Sequence, residues 1–483
     1  MQHIKARIEV LDERDLQRIH EATLAVLWQT GCRLPHPRIL DRLAARGAVV
    51  DRQTATVRLP EALVVDAMAA LAGQTMPPEE RFAQGVLRGR RLTIGPGNEA
   101  NIVDYRATER RRGTSEDVLK GISLCNALSH VGSAMPLVTP SDCPAGLADV
   151  YGYYLCALYS AKPFGVYLMS PGAADTILAL AKARYGPDAP RPTYLLEPNG
   201  ALSYDEISLE LAVRFVEAGS SFHCGPMAMA GLDAPVTLAG TLVLQNAYNW
   251  IGNIVAYLWG APGSWGGGAH TVDLRSALCS FGSPNQVLLG LGQAQLAHWY
   301  GLDTSVNSAL TDACVPDFQG GFEKGASALA ALLAGVGFGA QGIVGADQAT
   351  SLEQLVIDNE WAGYLDHILS HGIPVDETTL AVDEIGQAGI LGSHIATEHT
   401  VRHMRQTYWR STVFNHEGFD AWAERGARDV YARAHEEVER ILATHYPPRP
   451  QVSAETQAEL DAIWADALAH PDRFQVERWR YRG

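Results

Sequence analysis

The 483-residue sequence predicts an α/β fold: a (β/α)8 TIM barrel with an N-terminal α+β appendage and C-terminal helices. Three observations predict it. Runs of strand length, rich in apolar, β-branched or aromatic residues, alternate with longer helical stretches. Turns between them carry Gly or Pro, as in Ser170-Pro171-Gly172 and Ala261-Pro262-Gly263. The repeating unit recurs eight times after residue 90, and strands separated by helices pair in parallel through crossovers. A doubly wound open sheet is the alternative for the same alternation.

The elements follow in order. Leu16, Ile19, Thr23 and Leu27 recur at helical spacing, with Asp12 as N-cap and Gly31 as the stop. A second helix spans 38–47, a short β piece covers Ala55–Pro60, and a third helix runs from Pro60 to Leu71. These make an appendage over residues 1–90. The barrel is assigned to 91–400. Its strands are Arg91–Gly95, Met135–Thr139, Phe164–Met169, Thr193–Glu197, Ser221–Cys224, Ser264–Ala269, Ser305–Leu310 and Gln341–Gly345. Its helices include Ala173–Tyr185, Asp205–Ala218, Thr237–Trp259, Gln286–Tyr300, Phe318–Leu333 and Leu352–His371. A helical extension over 401–483 carries the stripe Val430, Ala434, Val438, Ile441, Leu442 and a last helix capped by Ser453.

Composition excludes several classes. The chain is 47% hydrophobic and 19% charged, so it can bury a core and is not a disordered tail. A net charge of −16 repels phosphate backbones and anionic lipid, which argues against nucleic acid and membrane surfaces as partners. The seven cysteines are scattered without a CxxC, and Met1–Arg7 leads into charged sequence with no apolar leader, so a reducing, cytoplasmic location is expected. Two stretches, Ala234–Val272 and Gly325–Ala346, lack Asp, Glu, Lys and Arg. Their length suits a membrane span. Gln245, Asn246, Asn249, Asn253 and the glycines favour buried helix–strand units of a large domain instead.

Motifs for chemistry are sparse. Gly337-Phe338-Gly339-Ala340-Gln341-Gly342 fits GxGxxG, but it follows a helix and precedes a strand, the wrong order for a dinucleotide site, and reads as a packed turn. His399 and His403 share a helix face, with His394 upstream, yet the surrounding residues are not HExxH. Cys224 beside His223 reads as a buried thiol rather than a nucleophile. Asp312 ends a predicted strand on the face where barrels carry function, while Asp317 suits a helix N-cap. Trp265 followed by Gly266, Gly267 and Gly268 offers an aromatic beside bare backbone.

Longer blocks carry a resemblance. Met227-Ala228-Met229-Ala230-Gly231, then Ala234 through Thr241, then Asp312-Ala313, Pro316-Asp317, Gln319 and Gly321-Phe322-Glu323-Lys324, then Val356-Ile357-Asp358-Asn359-Glu360, resemble the trimethylamine methyltransferase family. Leu11–Gly31 and Glu398-His399-Thr400 with the tail beyond do so too, covering about residues 10 to 470. The resemblance implies a TIM-barrel methyltransferase of one-carbon, methanogenesis-related metabolism. Such enzymes pass a methyl group from a methylated amine to the cobalt of a corrinoid (cobalamin-like) cofactor carried by a separate small protein. Family members acting on trimethylamine use pyrrolysine. This chain is written in the standard twenty residues, which implies the branch resembling glycine betaine methyltransferase. Tyr248 and Asn285 stand where the resemblance leads one to expect Glu.

That chemistry assigns expected roles. A quaternary ammonium has no N–H to donate, so ring faces and carboxylates must hold it. Phe222, Trp265, Phe318 and Phe322 are the cage candidates, and Asp312 is the candidate catalytic carboxylate. His223, Gln348 and His399 are candidate donors to a substrate carboxylate, and Gly266, Gly267 and Gly268 form the expected corrinoid-facing mouth. The expected partners are a small quaternary amine, a corrinoid protein and other copies of the chain in a homo-oligomer; no tightly bound metal is expected. Two other readings of the barrel are a metal-assisted hydrolase using the histidines of 394–403 and a non-catalytic binder of small cations.

Overall fold

A computed structural model describes residues 8–72, 91–168, 170–187 and 192–475. The N-terminal reading of Met1–Arg7, the end of the expected strand at Met169, and the boundary near residue 90 lie outside the described residues. The architecture is mixed α/β. Parallel pairing runs from segment to segment: Ile94 with Val131, Ala134 with Phe164, Tyr194 with Phe222, Trp265 with Thr304 and Ser305 with Gly337. The Gly268 amide donates to the Pro226 carbonyl, linking two more segments. Gln341 then pairs in parallel with Pro96, so the last segment returns to the first.

The expected helices form with small shifts of their ends. Asp12 caps Glu13–Gln29, Ser170 caps Pro171–Tyr185, Asp317 caps Phe318–Leu333 and Ser453 caps Ala454–Ala469. Two further helices, Ser115–Ala127 and Ala148–Tyr159, were not anticipated. Antiparallel hairpins at 270–280 and 343–350 extend two of the segments beyond their parallel pairs.

The uncharged stretch from Ala234 shows why it is not a membrane span. Leu238–Trp259 is buried on nearly all sides. Its amides serve as cross-ties: both ends of the Asn253 amide bond the backbone of Ser264, and the Asn249 amide bonds both the N–H and the carbonyl of Gly266. These bonds satisfy the backbone of 264–266, which makes only an isolated bridge with its neighbour. Asn246 reaches Thr23 and Tyr300, tying the N-terminal helix to the same cluster. No helix among the described residues is long and apolar enough to cross a membrane.

The GxGxxG stretch is not the turn expected. Gly337 and Gln341 each pair in parallel with a neighbouring segment, so the eighth segment starts earlier than Gln341. A strand with three small residues was invisible to a reading that looks for bulky alternation.

Candidate functional site

A cavity of ≈ 380 Å³ opens where these segments end. Residues from the C-terminal ends of seven segments face it: Asn98 and Glu99, Tyr167, Leu195 and Glu197, His223, Gly267, Asn307, and Gly339. Ends of parallel strands are where such folds place function. Asp347 and Phe281 come from the hairpins beyond the last and sixth segments.

Three carboxyls meet here. Glu99 and Asp347 lie in each other's field, and both titrate above the usual carboxylate range. Burial is the main cause for each, with the neighbouring Asp347 charge raising Glu99 further. Glu197 is pushed up to about 7, by burial first and by Asp347 second. It is ringed by protein but still exposes its side toward the cavity. Tyr167 is also raised, by burial and then by Glu197, Asp347 and Glu99, which places its hydroxyl in the field of all three acids. Among the described residues no Lys or Arg lines the cavity.

Asp347 is held in place by a strained turn. Gly345, Ala346 and Asp347 all have left-handed backbones, φ +68, +53 and +63. That conformation costs an Ala or Asp free energy and persists only where neighbours enforce it. The Gly345 amide donates to the Ala313 carbonyl at 2.7 Å and the Ala346 amide to the Thr311 carbonyl at 3.0 Å.

The expected site residues are distributed unevenly. His223 and Gly267 line the cavity. Burial lowers the pKa of His223, so it is neutral near pH 7, with Nε2 3.5 Å from the Ser305 hydroxyl. A Cβ on Gly266 would collide with the His223 ring, one on Gly267 with Pro226, and one on Gly268 with Asn307. These glycines permit close packing of adjacent segments; they do not offer the bare surface expected for a corrin ring.

Asp312 does not line the cavity. Its carboxylate accepts from the Ser280 hydroxyl and from the amides of Phe281 and Gly282, at 2.5, 2.6 and 3.1 Å. It therefore positions Phe281, which does line the cavity. Trp265 is 1% exposed and packs edge-on against Trp250 at 5.2 Å and tilted against Tyr300 at 5.1 Å, on the helix side of its segment. Phe222 is buried in the same core. Phe318 and Phe322 are 87% and 66% exposed, on the outer face of their helix. Gln348 accepts from Arg110 at 2.6 Å, away from the cavity wall. His399 lies on the exposed helix Glu398–Thr407, its ring 4.5 Å from His403. Among the described residues no group of three His, Cys, Asp or Glu is placed to hold a metal. Tyr248, at one of the two departures, is buried with its hydroxyl on the Gly200 carbonyl and Asp233, and Asn285 is exposed on the first turn of Pro284–Trp299.

Sequence reasoning missed Glu99, Tyr167, Glu197, Phe281 and Asp347. A usable signal existed for two of them: Tyr167 and Glu197 stand within or at the end of predicted strands.

Comparisons with known proteins agree over the whole length. The family described as "Trimethylamine methyltransferase (MTTB)" matches residues 1–466. A glycine betaine methyltransferase of Desulfitobacterium hafniense is 28% identical over 95% of this chain and 98% of that protein. A trimethylamine methyltransferase of Methanosarcina barkeri is 30% identical over 89% of this chain and 90% of its own. Among solved structures, the Methanosarcina barkeri monomethylamine methyltransferase aligns with TM-score 0.49 at 12% identity, over 97% of this chain and 90% of its own.

Proposed function

The chain belongs to the trimethylamine methyltransferase family and is a methyltransferase; we propose that it binds a quaternary amine in the cavity at Glu99, Glu197 and Asp347. The methyl group passes to the cobalt of a corrinoid held by a separate protein. The acid-lined cavity at the strand ends, with no lysine or arginine among the described residues that line it, carries this reading. Tyr167 and Phe281 supply ring faces, and the carboxyls supply charge, the two features a cation without N–H donors requires.

The cobalt, when its carrier delivers it, supplies the nucleophile. This chain's residues bind, orient and shield. Loss of a methyl from a quaternary nitrogen leaves a neutral amine, so no general acid is needed. The fading charge sets a limit on the cradle: carboxylates that hold the ammonium too strongly favour the ground state over the transition state. A proton shared by Glu99 and Asp347 reduces the cradle's charge, and release of the neutral product is helped for the same reason. His223, neutral, offers a hydrogen bond without adding positive charge. Gly266–Gly268 are packed against neighbouring segments, so the macrocycle stays with its carrier and meets the cavity only at its mouth.

We read the eight segments as a closed (β/α)8 TIM barrel over 91–400, with 1–90 and 401–483 as additions; among the described residues seven of the eight neighbouring pairs are joined, the exception being the Phe164 segment with that of Tyr194. A cytoplasmic, homo-oligomeric protein is part of the same proposal, and the seven unpaired cysteines support a reducing compartment. The test is methyl transfer to cob(I)alamin or a corrinoid protein from a panel of quaternary amines, followed by absorbance. Turnover with at least one amine, lost or strongly reduced in Glu197→Gln, is expected. Binding without any cobalt methylation would favour the non-catalytic binder.

A further inference from the structure

From Gly372 to Thr412 the chain contains no buried residue. The stretch is nonetheless structured. Three helices, Glu377–Leu380, Val382–Ala388 and Glu398–Thr407, follow one another, and Asp376 and Thr397 cap the first and third. It is also apolar. Nine aliphatic side chains between Ile373 and Val401 stand open, with Ile390 and Leu391 wholly exposed and Ile395 84% exposed. Summed side chain by side chain they present on the order of 1,000 Å² to solvent.

We propose that this arm is the surface through which the chain assembles with a second copy of itself. Its area matches the share of about 800 Å² per partner in a stable interface, and a dense aliphatic surface is the mark of permanent assemblies. Its place in the fold argues against the methyl acceptor as occupant. The arm leaves from the C-terminal end of Leu352–His371 and rejoins the middle of the same helix: Trp409 packs on Tyr364 at 5.4 Å, and Ser411 and Thr412 bond Glu360. Asp366 of that helix accepts from the Leu92 amide, at the start of the first segment. The cavity opens beyond Asn98, at the other end of the same segment, about 20 Å away at strand rise. That step rests on the cavity being the working site. An acceptor that must come and go belongs at the mouth, and a permanent neighbour belongs at the base.

The test is light scattering of the full chain after gel filtration, from about 0.1 to 20 µM, with Ile390→Glu/Leu391→Glu as the variant. The wild type is expected to be oligomeric and the variant to dissociate at least a hundredfold more readily, with unchanged circular dichroism. Amide exchange over 373–407 should quicken when the wild type is diluted. A monomeric wild type, a variant that assembles like it, or exchange in the arm indifferent to dissociation would each overturn the proposal. All three readouts are independent of methyl transfer, so loss of the catalytic reading would leave the assembly result standing.

Discussion

Glu99 and Asp347 line the same cavity, and both carboxyls are held above their usual range, by burial first. Folding has brought together two like acids 248 residues apart in the chain, and a shared proton or a cation would reconcile them.

Ligand binding should therefore release protons. A quaternary ammonium favours the ionised acids, and Glu197 reaches half-ionisation at about 7. Affinity is predicted to rise from about pH 6 through Glu197's range and on toward that of Glu99, which is pushed up to about 9, by up to tenfold per pH unit for each proton released. The apo protein has the opposite trend. A folded pKa raised above the unfolded value contributes stability at low pH that is lost as pH rises through the folded value. Calorimetry in buffers of different ionisation enthalpy measures the release directly, and a flat affinity across this window would refute the linkage.

Asp312→Asn should act on the loop, not on the charge of the site. The carboxylate holds a hydroxyl and two amides of 280–282, and an amide side chain turns one acceptor into a donor that faces donors. A loss of about 1–3 kcal/mol in denaturant unfolding is expected. Weaker substrate binding should follow through Phe281. Phe281→Leu should reproduce the binding defect with little of the stability loss. If Asp312→Asn weakens binding but leaves stability unchanged, a direct contact with the cation is the better account.

The contrast between Asp312 and Asp347 shows what could be read from sequence and what could not. Strand positions were legible because apolar runs at 193–196, 221–224 and 305–310 carry their own signal. The expected strand Ser305–Leu310 pairs only at its start, Ala309 turns left-handed at φ +59, and the Asp312 carboxylate beyond it turns to the neighbouring hairpin. Asp347 sits in a left-handed turn that no local pattern announces, and its partner Glu99 is 248 residues earlier. Phe318 and Phe322 fell on the wrong face because a four-residue spacing fixes that they share a side, not which side turns inward. Trp265 likewise alternates outward, into a cluster of edge-on and tilted rings with Trp250 and Tyr300.

Behind the cavity, Lys324 and Asp358 form an ion pair at 3.0 Å with neither side chain exposed. Asp358 also accepts from the Gly342 amide, Gln354 and Trp361, and so anchors the start of the hairpin that carries Asp347. Lys324→Met leaves that carboxylate buried and uncompensated, and a destabilisation of about 3–5 kcal/mol is expected. Lys324→Met/Asp358→Asn removes the stranded charge and should recover part of it. A double variant no more stable than the single one would show that the hydrogen bonds of Asp358, rather than its charge pairing, matter.

The charge of the cavity also bears on which amine enters. A zwitterion such as glycine betaine brings a carboxylate close to its cation, and that carboxylate needs a donor. His223 is neutral, Gln348 and His399 lie elsewhere, and among the described residues no Lys or Arg lines the wall. The acids that attract the ammonium repel the carboxylate. Net cations such as choline or tetramethylammonium are therefore predicted to bind about tenfold or more tightly than glycine betaine, a difference near 1.4 kcal/mol. Glu197→Gln should narrow the gap by weakening the net cations most, since it removes attraction for one end of the zwitterion and repulsion of the other. Titration calorimetry at pH 8, where Glu197 is largely ionised, gives the ranking. Tighter binding of glycine betaine than of choline by the wild type would mean that the cavity supplies its carboxylate with donors other than those at its wall.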